Sequence, residues 1–238
     1  MLFEVEFFNS TCNIGPFSPN YKQRNNECTI ISIVGIRVLL AMAGRPRQFD
    51  ADGARDIAMH LFWAQGYDAT SLSDLLSAMG LSKSSFYQTF ESKLSLFEHC
   101  LDRYREILVG AMTAGLANAP SAIAFINFTL VDVANDTNDP LGRRGCLMIN
   151  TATEFAQRDP GIAHCVETGI QATRDVFLVA ITAAQTAGDI DSTASAEVLA
   201  DYLVTIYSGL KSQIKAGASH DKIVNIAELS VVALQRMT

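Results

Sequence analysis

The chain has 238 residues, 49% of them apolar and 18% charged, which suits one or two packed domains and excludes a disordered polymer. Its net charge of −7 offers no chain-wide basic footprint, so any contact with nucleic acid must come from a local pattern. The five cysteines (Cys12, Cys28, Cys100, Cys146 and Cys165) are odd in number, widely spaced and without a C-x-x-C pair; this argues against a zinc site or disulfide framework and for free thiols in a reducing cytoplasm.

Residues 1–41 mix Phe, Asn, Pro and Cys without a clear period. They are expected to be an N-terminal extension, disordered or lying upstream of a natural start at Met42; a regulatory arm is the alternative reading. The most apolar run, Thr29 to Ala43, is interrupted by Arg37 and falls short of the roughly 20 residues a membrane helix needs. Glu4 and Glu6 stand where an export signal needs positive charge.

Strand signals are weak and the chain reads as all-α, with the helices beginning at Asp50. Asp50 can cap a first helix whose apolar stripe runs Ala54, Ile57, Ala58, Leu61, Phe62 and which Gly66 ends. Ser71 with Asp74 forms a capping-box signature ahead of Leu72, Leu75, Leu76 and Met79. Gly80-Leu81-Ser82 makes a tight turn, Ser82 caps a short third helix through Phe90, and Ser92 caps a long fourth from Lys93 towards Gly115. Two short helices joined by a three-residue turn containing Gly have helix-turn-helix spacing, although such hairpins are common in all-α proteins. Breaks then fall near Ala119–Pro120, Asp136–Gly145, Asp159–Gly161, Gly188–Thr193 and Gly217–Ser219. Between them lie three stripes: Val166, Ile170, Thr173, Phe177, Ile181; Leu199, Tyr202, Leu203, Ile206, Leu210; and Ile223, Ile226, Ala227, Val231, Leu234.

Gly44-Arg-Pro-Arg47, Phe62-Trp-x-x-Gly66-Tyr67, Thr70-Ser-Leu-x-Asp-Leu75, Ala78-Met-Gly80-Leu-Ser and Ser85-Phe-Tyr87-x-x-Phe90-x-Ser92-Lys93 resemble, in order and spacing, the N-terminal domain of TetR-type repressors. Gly145-Cys-Leu-Met-Ile-Asn150-Thr, Gly209-Leu-Lys and Lys215-Ala-Gly-Ala-Ser219 are similar to one ligand-sensing branch of that family. The resemblance implies a three-helix DNA-binding domain at residues 42–95 and a helical ligand-binding and dimerisation bundle at 96–238. It also implies a homodimer bound to a palindromic operator in double-stranded DNA and released by a small-molecule inducer, with the Val166–Ile181 and Leu199–Leu210 stripes and the last helix as candidates for the dimer's helix-on-helix packing. The recognition helix would span Ser82 to Thr89. Between Leu75 and Phe90 the only charge is Lys83, so no carboxylate would face the polyanion. Lys83, Ser84, Ser85 and Gln88 would address base edges or phosphates, Tyr87 would donate to a phosphate, and Thr70 and Lys93 would clamp phosphates on either flank. Arg45 and Arg47 would form a minor-groove arm. Each of these side chains also has a plain reading as a solvated helix face, a core residue or a tail.

In the second half, polar residues within apolar helices point to a pocket: Cys146, Asn150 and Glu154 recur every four residues, with Asn127, Gln171 and Tyr202 as further candidates. Solvent-facing or core-satisfying roles are the alternative for each. Cys146 follows Arg143, Arg144 and Gly145 at an expected helix start, where cations and the helix dipole favour the thiolate, so it is the candidate sensor of electrophiles or oxidants. No Gly-rich phosphate loop, H-E-x-x-H or nucleophile elbow is present and the four His are scattered, so neither an enzyme nor a metal or other cofactor is expected. The competing reading is a helical ligand-binding or scaffolding protein without DNA binding.

Overall fold

A computed structural model describes residues 29–33, 36–40, 50–155 and 158–236. Two strands, β1 (Thr29–Ile33) and β2 (Ile36–Leu40), pair antiparallel with Thr29 opposite Leu40 and Ile33 opposite Ile36. This pair departs from the all-α expectation; its β-branched content suits extended backbone. The rest of the extension, with Arg45 and Arg47, lies outside the described residues.

Helix α1 (Ala51–Gln65) starts where Asp50 accepts the Gly53 amide at 3.0 Å, and it buries Ala54, Ala58, Met59, Phe62 and Trp63. Helix α2 (Leu72–Met79) carries the expected capping box: Ser71 Oγ accepts the Asp74 amide at 3.1 Å and Asp74 accepts the Ser71 amide at 3.0 Å. It ends at Gly80, whose φ of 65° is left-handed and lets the Leu81 amide return to the Leu76 carbonyl at 3.0 Å. Helix α3 (Lys83–Phe90) is capped by Ser82 and anchored by Phe86 and Phe90. The turn out of it is tight: Glu91 has φ 62° and ψ −50°, and the Ser92 amide donates to the Phe90 carbonyl at 2.6 Å. Ser92 then caps α4 (Lys93–Asn118), 26 residues and so about 39 Å long.

Helix α4 belongs to both halves of the molecule. Its first turns pack on α1, with Phe97 4.8 Å from Phe62 and Tyr104 5.3 Å from Trp63 between ring centroids. Further along, Leu108 and Met112 are buried in the second half. There α5 (Ala122–Asp132), α6 (Leu147–Glu154), α7 (Pro160–Ala187), α8 (Ala196–Lys215) and α9 (His220–Arg236) form the bundle, with 3-10 turns at Val133–Asn138 and Gly142–Arg144 between α5 and α6. Phe177 on α7 meets Phe125 of α5 at 6.5 Å and Tyr207 of α8 at 6.2 Å. Among the described residues no helix is long and apolar enough to cross a membrane.

The stripes on α7 and α8 expected to face a second copy are not free to do so. Thr173, Phe177, Ile181, Leu199, Leu203 and Leu210 are buried within one chain. Period reveals that a helix has an apolar face, but not what the face meets.

Candidate nucleic-acid interface

Helix α3 is held by its inner face and open on its outer one. Phe86 is completely buried and Phe90 nearly so, whereas Lys83, Ser84 and Gln88 are exposed, as is Tyr87 at 45%, a high value for an aromatic side chain. Ser85 is half-buried, and the hydroxyls of Ser84 and Ser85 lie 3.0 and 2.9 Å from the Ser82 hydroxyl. One cation, two serines with a third at the N-cap, an amide and a phenol thus share a short helix that has no acid within it. That surface can donate to phosphates and to base edges.

Lys93 opens α4 beside it. Its Nζ lies 4.1 Å from the centroid of the Tyr67 ring. Partial burial holds its ammonium below the usual lysine range, opposed by the charges of Asp68 and Glu154. Thr70 departs from expectation: its side chain is fully buried, and its hydroxyl donates to the Gly66 carbonyl at 2.7 Å, closing the α1–α2 turn instead of facing a phosphate.

The sensor candidates separate into three groups. Asn127 and Gln171 are exposed, the latter donating to Asp175 at 2.7 Å, so neither lines an interior pocket. The Tyr202 hydroxyl is satisfied by the Ser230 carbonyl at 3.3 Å and ties α8 to α9. Asn150 and Glu154 do share a face of α6, but that face looks at the DNA-binding half. Asn150 donates to the Arg144 carbonyl at 2.8 Å, and Glu154 accepts the Asp68 amide at 3.2 Å. Together with Trp63, Gly66, Tyr67 and Lys215 they line a cleft of about 360 Å³ between the halves.

Cys146 is the N-cap of α6, as expected, and is 5% exposed. Its surroundings differ from expectation. Arg143 is exposed and the Arg144 guanidinium donates to the His60 carbonyl at 3.2 Å. The thiol instead lies in a buried polar group with Tyr104, Tyr207 and Lys211. Burial raises the Tyr104 hydroxyl and pushes Tyr207 up to about 12. Burial alone would lower Lys211, but Tyr207 and its ion pair with Asp136, both side chains 8% exposed, hold it above the usual range.

Two ties were not foreseen. The Trp63 indole donates to the Gly145 carbonyl at 3.2 Å, fastening α1 to the residue before Cys146, and Arg158 pairs with Asp68 at 2.7 Å. The buried Lys211 had a sequence signal in hindsight: it sits four residues after Tyr207 on the apolar face of α8. Among the described residues no group of three His, Cys, Asp or Glu side chains is placed to hold a metal ion.

Residues 55–100 match the family described as "Bacterial regulatory proteins, tetR family", and residues 128–227 match the "Tetracyclin repressor-like, C-terminal domain". The chain is similar to the HTH-type transcriptional repressor ComR of Escherichia coli (strain K12), 32% identical over 188 residues, 77% of this chain and 88% of ComR. It is also similar to the HTH-type transcriptional repressor BdcR of the same organism, 27% identical over 202 residues, 81% of this chain and 92% of BdcR. Among solved structures, the TetR family regulator CifR, a cysteine mutant complexed with 26-base-pair double-strand operator DNA, matches with a TM-score of 0.71 at 27% identity, covering 80% of this chain and 100% of that one. A TetR regulator from Chloroflexus aurantiacus shares the fold with a TM-score of 0.69 at 23% identity, covering 78% and 93%. With an anchored helix-turn-helix at α2 and α3 and a helical bundle behind it, the chain belongs to the TetR family of bacterial DNA-binding transcriptional regulators.

Proposed function

We propose that this regulator is a ligand-responsive repressor and not an enzyme. It acts in the cytoplasm on the nucleoid and binds a palindromic operator as a homodimer, with residues 42–95 as the DNA-binding domain and 96–238 as the sensing and dimerising one. The observation that carries the reading is the outer face of α3: an exposed Tyr87, with Lys83, Ser84 and Gln88, on a helix whose Phe86 and Phe90 are buried. A protein that had given up DNA would have no use for an exposed phenol and cation on a helix that carries no carboxylate. Lys93, at the start of α4, clamps a phosphate on the flank; Ser85 supports the same face, and Arg45 and Arg47 provide the arm. CifR on its operator and the repressors ComR and BdcR support the same reading.

Two recognition helices meeting successive major grooves must stand about 34 Å apart, which requires a second copy. With the inner stripes spent in the core, the face left for it is the outer one of α7 and α8. Val179 and Val198 are each 60% exposed there, and Leu178, Thr182, Ala183 and Ala187 make a shallow apolar surface. Cys146 is the sensing thiol. Modification of a buried group at the N-cap of α6 forces that helix to move, and the dimer with displaced recognition helices releases DNA.

Fluorescence anisotropy with DNA from upstream of the protein's own gene tests the reading. Lys83→Ala and Tyr87→Phe each weaken binding about tenfold, the cost of a charge-assisted contact. Unchanged binding in the double variant overturns it. Val179→Glu gives a monomer in light scattering and loses the operator. Cys146→Ser keeps DNA binding and no longer releases it on treatment with a thiol-reactive electrophile; normal release by the variant removes the thiol from the mechanism.

A further inference from the structure

The C-terminal end of α6 grips the turn between α1 and α2. Gly66 has φ 83° and ψ 169°, and the Glu154 carboxylate fills the space where a side chain would stand: a Cβ there would lie 2.9 Å from Oε2. The other oxygen, Oε1, accepts the Asp68 amide at 3.2 Å. Between these two contacts lies Tyr67. Phe155, the residue after Glu154, packs on its ring at 4.8 Å, and Phe97 of α4 packs on it at 5.0 Å. Lys93 rests its ammonium on the same ring at 4.1 Å.

Lys93 occupies the first position of α4, where the helix dipole repels a cation. Among the described residues, the Tyr67 ring face and the nearby Asp68 and Glu154 charges offset that repulsion. All three belong to, or fix, a single turn. We infer that Glu154, although it belongs to the sensing half, is a positioning residue for DNA binding: it holds the Gly66–Asp68 turn, which seats Lys93 for a phosphate. Displacing α6 then loosens a DNA contact directly, because the same helix carries Cys146 at one end and Glu154 at the other. This rests on the reading of Lys93 as a phosphate clamp.

A double-mutant cycle between Glu154 and Lys93, read as operator affinity of the full-length protein at several salt concentrations, tests it. Lys93→Ala weakens binding and lowers the salt slope by about one, as loss of one phosphate contact should. Glu154→Ala weakens binding about tenfold and lowers the slope by a fraction of one, because Lys93 is still present but poorly seated. In the Lys93→Ala background the same substitution has little further effect. Glu154→Gln, which still offers an oxygen to the Asp68 amide, recovers most of the affinity. If Glu154→Ala does not fold, Glu154→Asp, with its carboxylate withdrawn by one methylene, completes the cycle. Unchanged affinity and slope in Lys93→Ala alone would remove the clamp reading and this inference with it. A functional clamp with equal effects of the Glu154 variant in both backgrounds, or none in either, would overturn the inference alone.

Discussion

Gly66→Ala probes the junction between the halves most directly. The φ of 83° with ψ of 169° falls in a region reached almost solely by glycine, and forcing an L-residue into it costs roughly 1–3 kcal/mol. The added methyl would also stand 2.9 Å from Glu154 Oε2 and 3.1 Å from Oε1. A carboxylate at the end of a flexible side chain can move away, but moving it breaks the bond from the Asp68 amide, for about 1 kcal/mol more. The expected total is about 2–4 kcal/mol, which lowers the melting temperature by roughly 5–12 °C in a protein of this size. Thermal melts followed by circular dichroism measure it. The double variant Gly66→Ala/Glu154→Ala separates the two contributions, since the steric part vanishes with the carboxylate while the backbone part remains. A single variant that melts within about 1 °C of the parent would show that the turn relaxes freely and that its conformation constrains nothing.

Other perturbations test other parts of the molecule. Lys211→Met leaves the Asp136 carboxylate buried without its partner and should destabilise by about 3–5 kcal/mol in urea titration; the double variant Lys211→Met/Asp136→Leu should recover much of that, and failure to do so would mean that the pair is more than a mutual satisfaction of charge. Phe86→Ala removes the fully buried anchor of α3, with an expected loss of about 3–5 kcal/mol and of operator binding, whereas Tyr87→Ala should change binding but leave the melting temperature nearly unaltered. Burial first, and Arg144 second, hold the His60 imidazole below its ordinary value, so the folded protein favours the neutral ring. The stability this provides is present above the unfolded pKa of about 6.5 and is lost as pH falls through the lower folded value. Melting temperature should therefore decline on acidification below about pH 6.5, and less so in His60→Gln; identical pH profiles would exclude His60 as the source.

The helix-turn-helix was legible because its signals are local. Asp50, Ser71 and Asp74, Gly80, Ser82 and Ser92 each act on backbone groups within a few residues, and each does in the structure what its position implied. Much of the exposed face of α3 follows from the same register, since burying Phe86 and Phe90 turns Ser84 and Gln88 outward and leaves Tyr87 on the flank, whereas Lys83, at i to their i+3 and i+7, is exposed because it stands at the helix start. Thr70 escaped this logic because a hydroxyl beside a turn can bond inward or outward, and only the position of the Gly66 carbonyl decides between them.

The sensing half was legible as helices but not as a site. A period of four grouped Cys146, Asn150 and Glu154 without saying that Glu154 meets the turn after α1 or that Cys146 is buried beside Tyr104, Tyr207 and Lys211. The roles of Glu154, Trp63 and Lys211 arise from partners 86, 82 and 75 residues away in the chain. The amino-acid sequence by itself determined which segments are helical, where they stop and which side of α3 is left for DNA, because those outcomes depend on neighbours one to four positions apart. Only the tertiary structure decided what each apolar face covers, which buried charges meet and how α6 grips the turn beneath Lys93, because burial and ion pairing depend on elements brought together by the fold.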